Sequence, residues 1–215
     1  MNRTAEKKNM SFSDFLRVLF KGLLDPIASF LNKIGLKPNM VTIFGFIGNI
    51  VAAYLLAIGE ITWGGIVVLI FAPIDALDGT MARLRGETTR FGGFVDSVTD
   101  RYSEILVFGG LLVYFSMQSN IVATILCFVA ATGSLMVSYT RARAESLNYE
   151  AKVGFLTRVE RYFILIPCLI FNWPLVAIWI LAIFTNLTAI QRIYSVRKQA
   201  YAINDVVGKK NNENL

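Results

Sequence analysis

A chain of 215 residues that is 55% hydrophobic and only 17% charged, with a mean hydropathy of +0.55, is too apolar for an ordinary soluble domain, where charged residues make up about 25%. It carries 21 Lys and Arg against 15 Asp and Glu, a net charge of +6, and no His. Imidazole catalysis is therefore excluded, and a general base has to be a carboxylate, Lys, Tyr or Cys.

Residues 1–10 are polar and are expected to be a disordered cytoplasmic start. Over 11–36, Phe12, Phe15, Leu16, Leu19, Phe20, Leu23 and Leu24 recur at three and four while Asp14, Arg17 and Lys21 take another face. That pattern predicts an amphipathic juxtamembrane helix on the cytoplasmic leaflet, with packing on protein as its alternative. Residues 37–200 hold six apolar segments, at 40–59, 62–82, 92–117, 121–140, 155–171 and 174–191, each near the ~20 residues that span a bilayer. The expected fold is all-α: an integral membrane bundle of six transmembrane helices.

Three connections, Ile58-Gly59-Glu60, Gln118-Ser119-Asn120 and Asn172-Trp173-Pro174, contain no Lys or Arg, and the basic residues collect at the other ends of the segments. The positive-inside rule then puts both termini in the cytoplasm of a multi-pass protein of the cell (inner or plasma) membrane. The net charge reports orientation and attraction to anionic lipid rather than nucleic acid. The first span opens with Lys37-Pro38-Asn39-Met40-Val41-Thr42, where Pro suits a helix start and Asn or Thr can cap amides. Gly45, Gly48 and Asn49 follow at close-packing spacing. Cys127 and Cys168 fall within spans and read as small apolar filler. The polar tail, 201–215, carries no recognisable chemistry.

The unusual feature is a set of four acids. At about 100° per residue, Asp75, Asp78 and Ala82 share one helix face, and Gly92, Asp96 and Asp100 share a face of the next segment. Both sets lie near the cytoplasmic surface, and antiparallel neighbouring helices would aim them at one point. Clustered acids at membrane depth repel one another unless a cation sits among them. All-oxygen ligands favour Mg²⁺ or Mn²⁺, and four carboxylates can hold two such ions. Paired ions suit a phosphate substrate. Gly79 would let a nucleotide approach the helix, and Arg83 could meet a phosphate or pair with Glu87 at i+4. Arg141, Arg143, Arg158 and Arg161 gather at the same depth and suit anion capture. A cation transporter is the main alternative of another class, and a catalytically silent scaffold a second. The position of the acids near one surface, away from the midplane, weighs against transport.

The run Asp75-x-x-Asp78-Gly79-x-x-Ala82-Arg83, eight residues, then Gly92-x-x-x-Asp96-x-x-x-Asp100 resembles, without a gap, the signature of the CDP-alcohol phosphotransferase family. The resemblance covers roughly residues 36–200. It implies transfer of a substituted phosphate from a CDP-linked donor to an alcohol, with release of CMP. Asp75, Asp78 and Asp96 would hold two divalent cations, Mg²⁺ or Mn²⁺, and Asp100 would be a shared ligand or, more characteristically, the base that takes the acceptor's proton. Pro38, Asn39, Thr42, Asp75, Gly79 and Arg83 resemble the family's donor contacts, and a homodimer is expected.

Phe94-Val95-Asp96-Ser97-x-x-Asp100-Arg101, Ser138-Tyr139-x-Arg141-Ala142-Arg143-Ala144-Glu145 and Gly154-x-x-x-Arg158-x-x-Arg161 look like the phosphatidylinositol-phosphate synthase branch. That branch implies CDP-diacylglycerol or CDP-archaeol as donor and an inositol phosphate as acceptor, gripped by Ser138, Arg141, Arg158 and Arg192. The runner-up acceptor is glycerol 3-phosphate, as in phosphatidylglycerophosphate synthases, which usually have Pro where this chain has Ser97.

Overall fold

The structure, a computed structural model, describes residues 12–203 and 205, with the side chains of 12–21, 23, 75 and 76 left outside the description. The expected disordered start at 1–10 and most of the polar tail lie outside the described residues. Among those described, all regular structure is helical: α1 (Phe12–Lys33), α2 (Pro38–Ala57), α3 (Ile61–Phe71), α4 (Ile74–Arg85), α5 (Arg90–Met117), α6 (Ile121–Ser146), α7 (Arg158–Ile170) and α8 (Pro174–Ala202).

Local chemistry sets most of these boundaries. Pro38 and Pro174 open α2 and α8, where a missing N–H costs nothing. The Thr89 hydroxyl caps α5 by accepting from Gly92 N–H at 2.9 Å, and Asn120 caps α6 by accepting from Ala123 N–H at 3.1 Å. The Thr157 N–H donates to Glu160 at 2.6 Å at the start of α7. Gly86 ends α4 in the left-handed conformation, φ 68°.

Two predicted spans need correction. The segment 62–82 is not one helix: α3 ends after Phe71, and α4 restarts at Ile74 beyond Ala72-Pro73. Pro73 has no N–H to continue the ladder, and its ring crowds the preceding turn. The segment 155–171 is helical only from Arg158 to Ile170, because Gly154 (φ 125°) and extended Thr157 hold the chain open before it. Of the described helices, α2, α6 and α8 are long and apolar enough to cross a membrane, and α3 is a shorter apolar helix. α5 has the length, but its stretch 90–104 carries Arg90, Asp96, Asp100, Arg101 and Glu104.

The main core joins Leu56 of α2, Val68 of α3, Phe108 and Leu111 of α5, Leu169 of α7 and Leu181 of α8, all essentially inaccessible. A second core, of Ala28, Val41, Leu77 and Met81 flanked by Leu24 and Leu31, joins α1, α2 and α4. The second half of α1 is thus packed on protein. Ile27 and Phe30 nevertheless stay exposed on an adjoining face, with Ile34 just past the helix end. Arg85 of α4 clamps the end of α1, donating to Asn32 Oδ1 at 2.7 Å and to the Leu36 carbonyl at 2.6 Å.

Gly48 is buried against the Phe71 ring, as its spacing suggested. The tightest backbone approach is elsewhere: a Cβ on Gly110 would lie 2.4 Å from the Ala53 carbonyl oxygen, which sets the α2–α5 distance. Gly109, its neighbour, faces open space. Gly110→Ala is therefore expected to lose about 1–3 kcal/mol of stability to overpacking, with Gly109→Ala close to neutral. Thermal melting of the two purified variants, followed by size-exclusion chromatography, compares them directly.

Candidate active site

α4 and α5, which carry the acids, do not pack on each other along their lengths. α4 lies against α1 and α2, and α5 against α2 and α6, so α2 is their shared partner. The connection between them, 86–89, is short, as expected of neighbouring helices, but the two meet mainly through α2. The first contact in the site comes from α2. Thr42, one turn beyond Pro38, donates its hydroxyl to Asp78 Oδ2 and also lies 3.3 Å from the Pro38 carbonyl. Asp78 is 5% exposed. The Pro38–Thr42 segment and the acid run are thereby joined across 36 residues of sequence.

Asp75 lies in the first turn of α4, with its side chain outside the described residues. One turn beyond Asp78, Arg83 donates to Thr80 Oγ1 at 2.8 Å, and its guanidinium sits 3.4 Å from where a Cβ on Gly79 would be. The smooth Gly79 surface and an exposed guanidinium thus adjoin. The sequence had offered Glu87 as a partner for Arg83; Glu87 instead lies 3.9 Å from Arg85.

On α5, Asp96 is half-buried and Asp100 has a side chain 12% exposed. Asp100 Oδ2 meets Arg158 Nη1 of α7 at 2.5 Å and Arg101 Nη1 at 3.8 Å. The Arg158 guanidinium also lies over the Tyr162 ring, 5.5 Å from its centroid. The site therefore already places a cation against the proposed base.

The remaining expected anion-binding residues separate into different environments. Ser138 is half-buried on α6. Arg141 is exposed and pairs with Glu145 at 2.9 Å. Arg192 is 2% exposed and donates from Nη1 to the Val137 carbonyl at 2.5 Å and from Nε to the Val153 carbonyl at 3.0 Å. It ties α8 to the turn holding Ser138 and to the connection 147–157. Thr188 accepts from Leu156 N–H at 3.1 Å, and Gln199 bonds both Glu150 main-chain groups, at 2.6 and 2.9 Å. At the end of that connection the Tyr149 phenol donates to Asp205, whose carboxylate holds the phenol above its ordinary range. Sequence inspection passed over the pair of Glu104 and Arg161, in which Nε–Oε1 is 2.6 Å and Nη2–Oε2 is 2.9 Å. An acid four residues after Asp100 is the signal that could have flagged it.

Among the described residues no three acids surround a common point closely enough to hold an ion. The chemistry of the available ligands fits a hard divalent cation all the same. The acids of α4 and α5 supply carboxylates, Thr42 adds a hydroxyl beside Asp78, His is absent from the chain, and Cys127 lies in the core. An open hollow of ≈ 550 Å³ elsewhere is lined by Ser29, Asn32, Lys33, Leu84, Arg85 and Glu87 and touches none of the four acids.

Comparison with known proteins gives the family. A phosphatidylinositol phosphate synthase of Mycobacteroides abscessus is 39% identical over 199 residues, covering 87% of this chain and 89% of its own. One from Mycobacterium marinum is 39% identical over 202 residues, covering 87% and 85%. The crystal structure of Mycobacterium tuberculosis phosphatidylinositol phosphate synthase in complex with manganese and citrate superposes with a TM-score of 0.79 at 34% identity, covering 89% of this chain and 98% of that one. The same enzyme with CDP-DAG bound gives a TM-score of 0.75 over 80% and 92% of the two chains. The family model for CDP-alcohol phosphatidyltransferase matches residues 36–190, a stretch containing all four acids and the Thr42 and Arg158 contacts made to them, and this integral membrane chain belongs to that family.

Proposed function

We propose that this protein is a divalent-metal-dependent phosphatidylinositol-phosphate synthase. It transfers the phosphatidyl group of CDP-diacylglycerol to a hydroxyl of an inositol phosphate and releases CMP. The observation that carries the acceptor class is the placement of the Arg158 guanidinium 2.5 Å from Asp100. An acceptor whose phosphate is held by Arg158 has its hydroxyls delivered beside a carboxylate, and an uncharged alcohol such as free inositol would offer that guanidinium no anion.

Asp75, Asp78, Asp96 and Asp100 would hold two cations, Mg²⁺ or Mn²⁺. When bound, these would neutralise the pyrophosphate and stabilise the charge that develops as CMP departs. The protein's own groups do the rest. Thr42 fixes one Asp78 oxygen. Gly79 admits the nucleotide beside α4, and Arg83, with Pro38 and Asn39 at the start of α2, completes the donor contacts. Asp100 accepts the acceptor hydroxyl's proton as that oxygen attacks the phosphatidyl phosphorus and the bond to CMP breaks. Arg158, Ser138 and Arg141 form the acceptor's phosphate site. Arg192, committed by two nitrogens to main-chain carbonyls, forms its floor.

The membrane placement that fits this chemistry has six traverses: α2, α3 with α4, α5, α6, α7 and α8. The acid-bearing ends and both termini are cytoplasmic. α1 lies at the same surface, with Ile27, Phe30 and Ile34 in the acyl layer and the opposite apolar face on α4. The short α7, about 20 Å long at ~1.5 Å per residue, is completed by the extended residues before it. A homodimer is the proposed assembly, on family resemblance.

Asp100→Asn is expected to retain donor and Mn²⁺ binding and to lose about 10²- to 10⁴-fold in turnover, the range of general-base catalysis. CMP release in detergent micelles and a direct donor-binding measurement check the two halves, and unchanged turnover would remove Asp100 as base. For Arg158→Ala, loss of a charge-assisted bond worth about 1.5–3 kcal/mol should raise the acceptor KM by about 10- to 100-fold with little change for the donor. A panel of inositol phosphate, glycerol 3-phosphate, inositol and serine identifies the acceptor. Turnover confined to glycerol 3-phosphate would overturn the proposal.

A further inference from the structure

We infer that Glu104 and Arg161, which contact neither metal ligands nor substrate on the reading above, are positioning residues that set the acceptor site by fixing how far α7 stands from α5 and at what register. α5 packs principally on α2 and α6, and α7 on α3 and α8. At the level of the acids, two guanidinium–carboxylate rungs link the helices. The outer rung is Asp100–Arg158, with Nη1–Oδ2 at 2.5 Å and side chains 12% and 30% exposed. The inner rung is Glu104–Arg161, with side chains 7% and 2% exposed.

The spacing along each helix makes the rungs a unit. Glu104 follows Asp100 by four positions and Arg161 follows Arg158 by three, so each pair shares a face about one turn apart, and both helices run inward from the acid-bearing end. The inner rung is a fork: Nε to Oε1 at 2.6 Å and Nη2 to Oε2 at 2.9 Å, with Nη1 3.4 Å from the Leu156 carbonyl. Two parallel bonds between planar groups fix distance and rotation together, which a single point charge does not. Glu160 is held by Thr157, so it does not compete for Arg161. The bond to Leu156 extends the constraint into the connection that leads to Arg158. The inner rung is buried and shielded from solvent, whereas the outer one is exposed enough to exchange Asp100 for a substrate phosphate. A rigid inner rung therefore holds α7 while the outer guanidinium changes partner.

This inference rests on the proposed role of Arg158, and the test separates the two. The full-length protein in detergent is compared as wild type, Arg158→Ala, Glu104→Gln, Arg161→Lys and the double variant Glu104→Gln with Arg161→Gln, which leaves no uncompensated charge if a single substitution prevents folding. Steady-state constants for donor and acceptor are measured separately, alongside CMP binding and thermal melting. Glu104→Gln and the double variant are expected to raise the acceptor KM by about 10- to 100-fold, the scale of a small misplacement of a binding group. Donor KM and CMP affinity should stay within about threefold. Arg161→Lys, which keeps the charge without the fork, should fall between them and wild type. Folded variants with an unchanged acceptor KM, in a background where Arg158→Ala raises it, would overturn the positioning role alone. A parallel rise in both KM values would reduce the fork to general structural support and overturn it as well. An Arg158→Ala variant with unchanged acceptor KM would instead overturn the acceptor site itself.

Discussion

Charge compensation inside an apolar bundle is the constraint on which this structure depends. Removing a carboxylate from water costs several kcal/mol even after relaxation, unless hydrogen-bond donors or cations replace the lost solvent. Asp78, Asp100 and Glu104 each meet that requirement with a partner from another helix: Thr42 of α2, Arg158 of α7 and Arg161 of α7. None of these partners is close in sequence. The acids therefore do more than wait for cations, since their compensation ties the first, middle and last parts of the chain together. α4 and α5, which carry the acids, share α2 as a packing partner and do not lie tightly side by side.

The backbone features fit the same logic. An unbroken helix over 62–82 would carry the acid run straight on from the apolar α3. The interruption at Ala72-Pro73 lets α4 form a separate, more polar helix with its own core against α1 and α2. The clamp of Arg85 on Asn32 and Leu36 then holds the far end of α4. α8 does the corresponding work on the other side, with Thr188, Arg192 and Gln199 pinning the 147–157 connection that delivers Arg158.

What could be read from the sequence follows from the range of the interactions. The acid run, the connections without Lys or Arg and the starts of α2, α5, α6 and α8 are local patterns, and they were legible to within two residues. α6 and α8 run on to Ser146 and Ala202, past the predicted ends at 140 and 191, because their last turns are polar. Pro73 was equally visible, but hydropathy averaged across it hid the break. The Glu104–Arg161 fork spans 57 positions and could not be paired without the fold. Arg192, which the family resemblance implied as a phosphate ligand, has two of its nitrogens on main-chain carbonyls, long-range contacts that spacing alone does not reveal. Arg83 reads from the sequence as meeting a phosphate or pairing with Glu87, and its bond to the Thr80 hydroxyl three residues back is a contact that neither reading anticipated.

The site also divides along the chain in a way that suits a two-substrate transfer. On the proposed roles, α4 carries Gly79 and Arg83 on the donor side, α6 and α7 carry Ser138, Arg141 and Arg158 on the acceptor side, and α5, packed on α2 and α6, carries Asp96 and Asp100 one turn apart. An attacking hydroxyl must approach phosphorus opposite the departing CMP, so donor and acceptor need separate walls and a shared carboxylate line. A bundle in which α4 and α5 packed tightly would close the space between those walls. The separation of α4 and α5, which share α2 as their partner, thus leaves room between the two sides for an in-line displacement between two bound substrates.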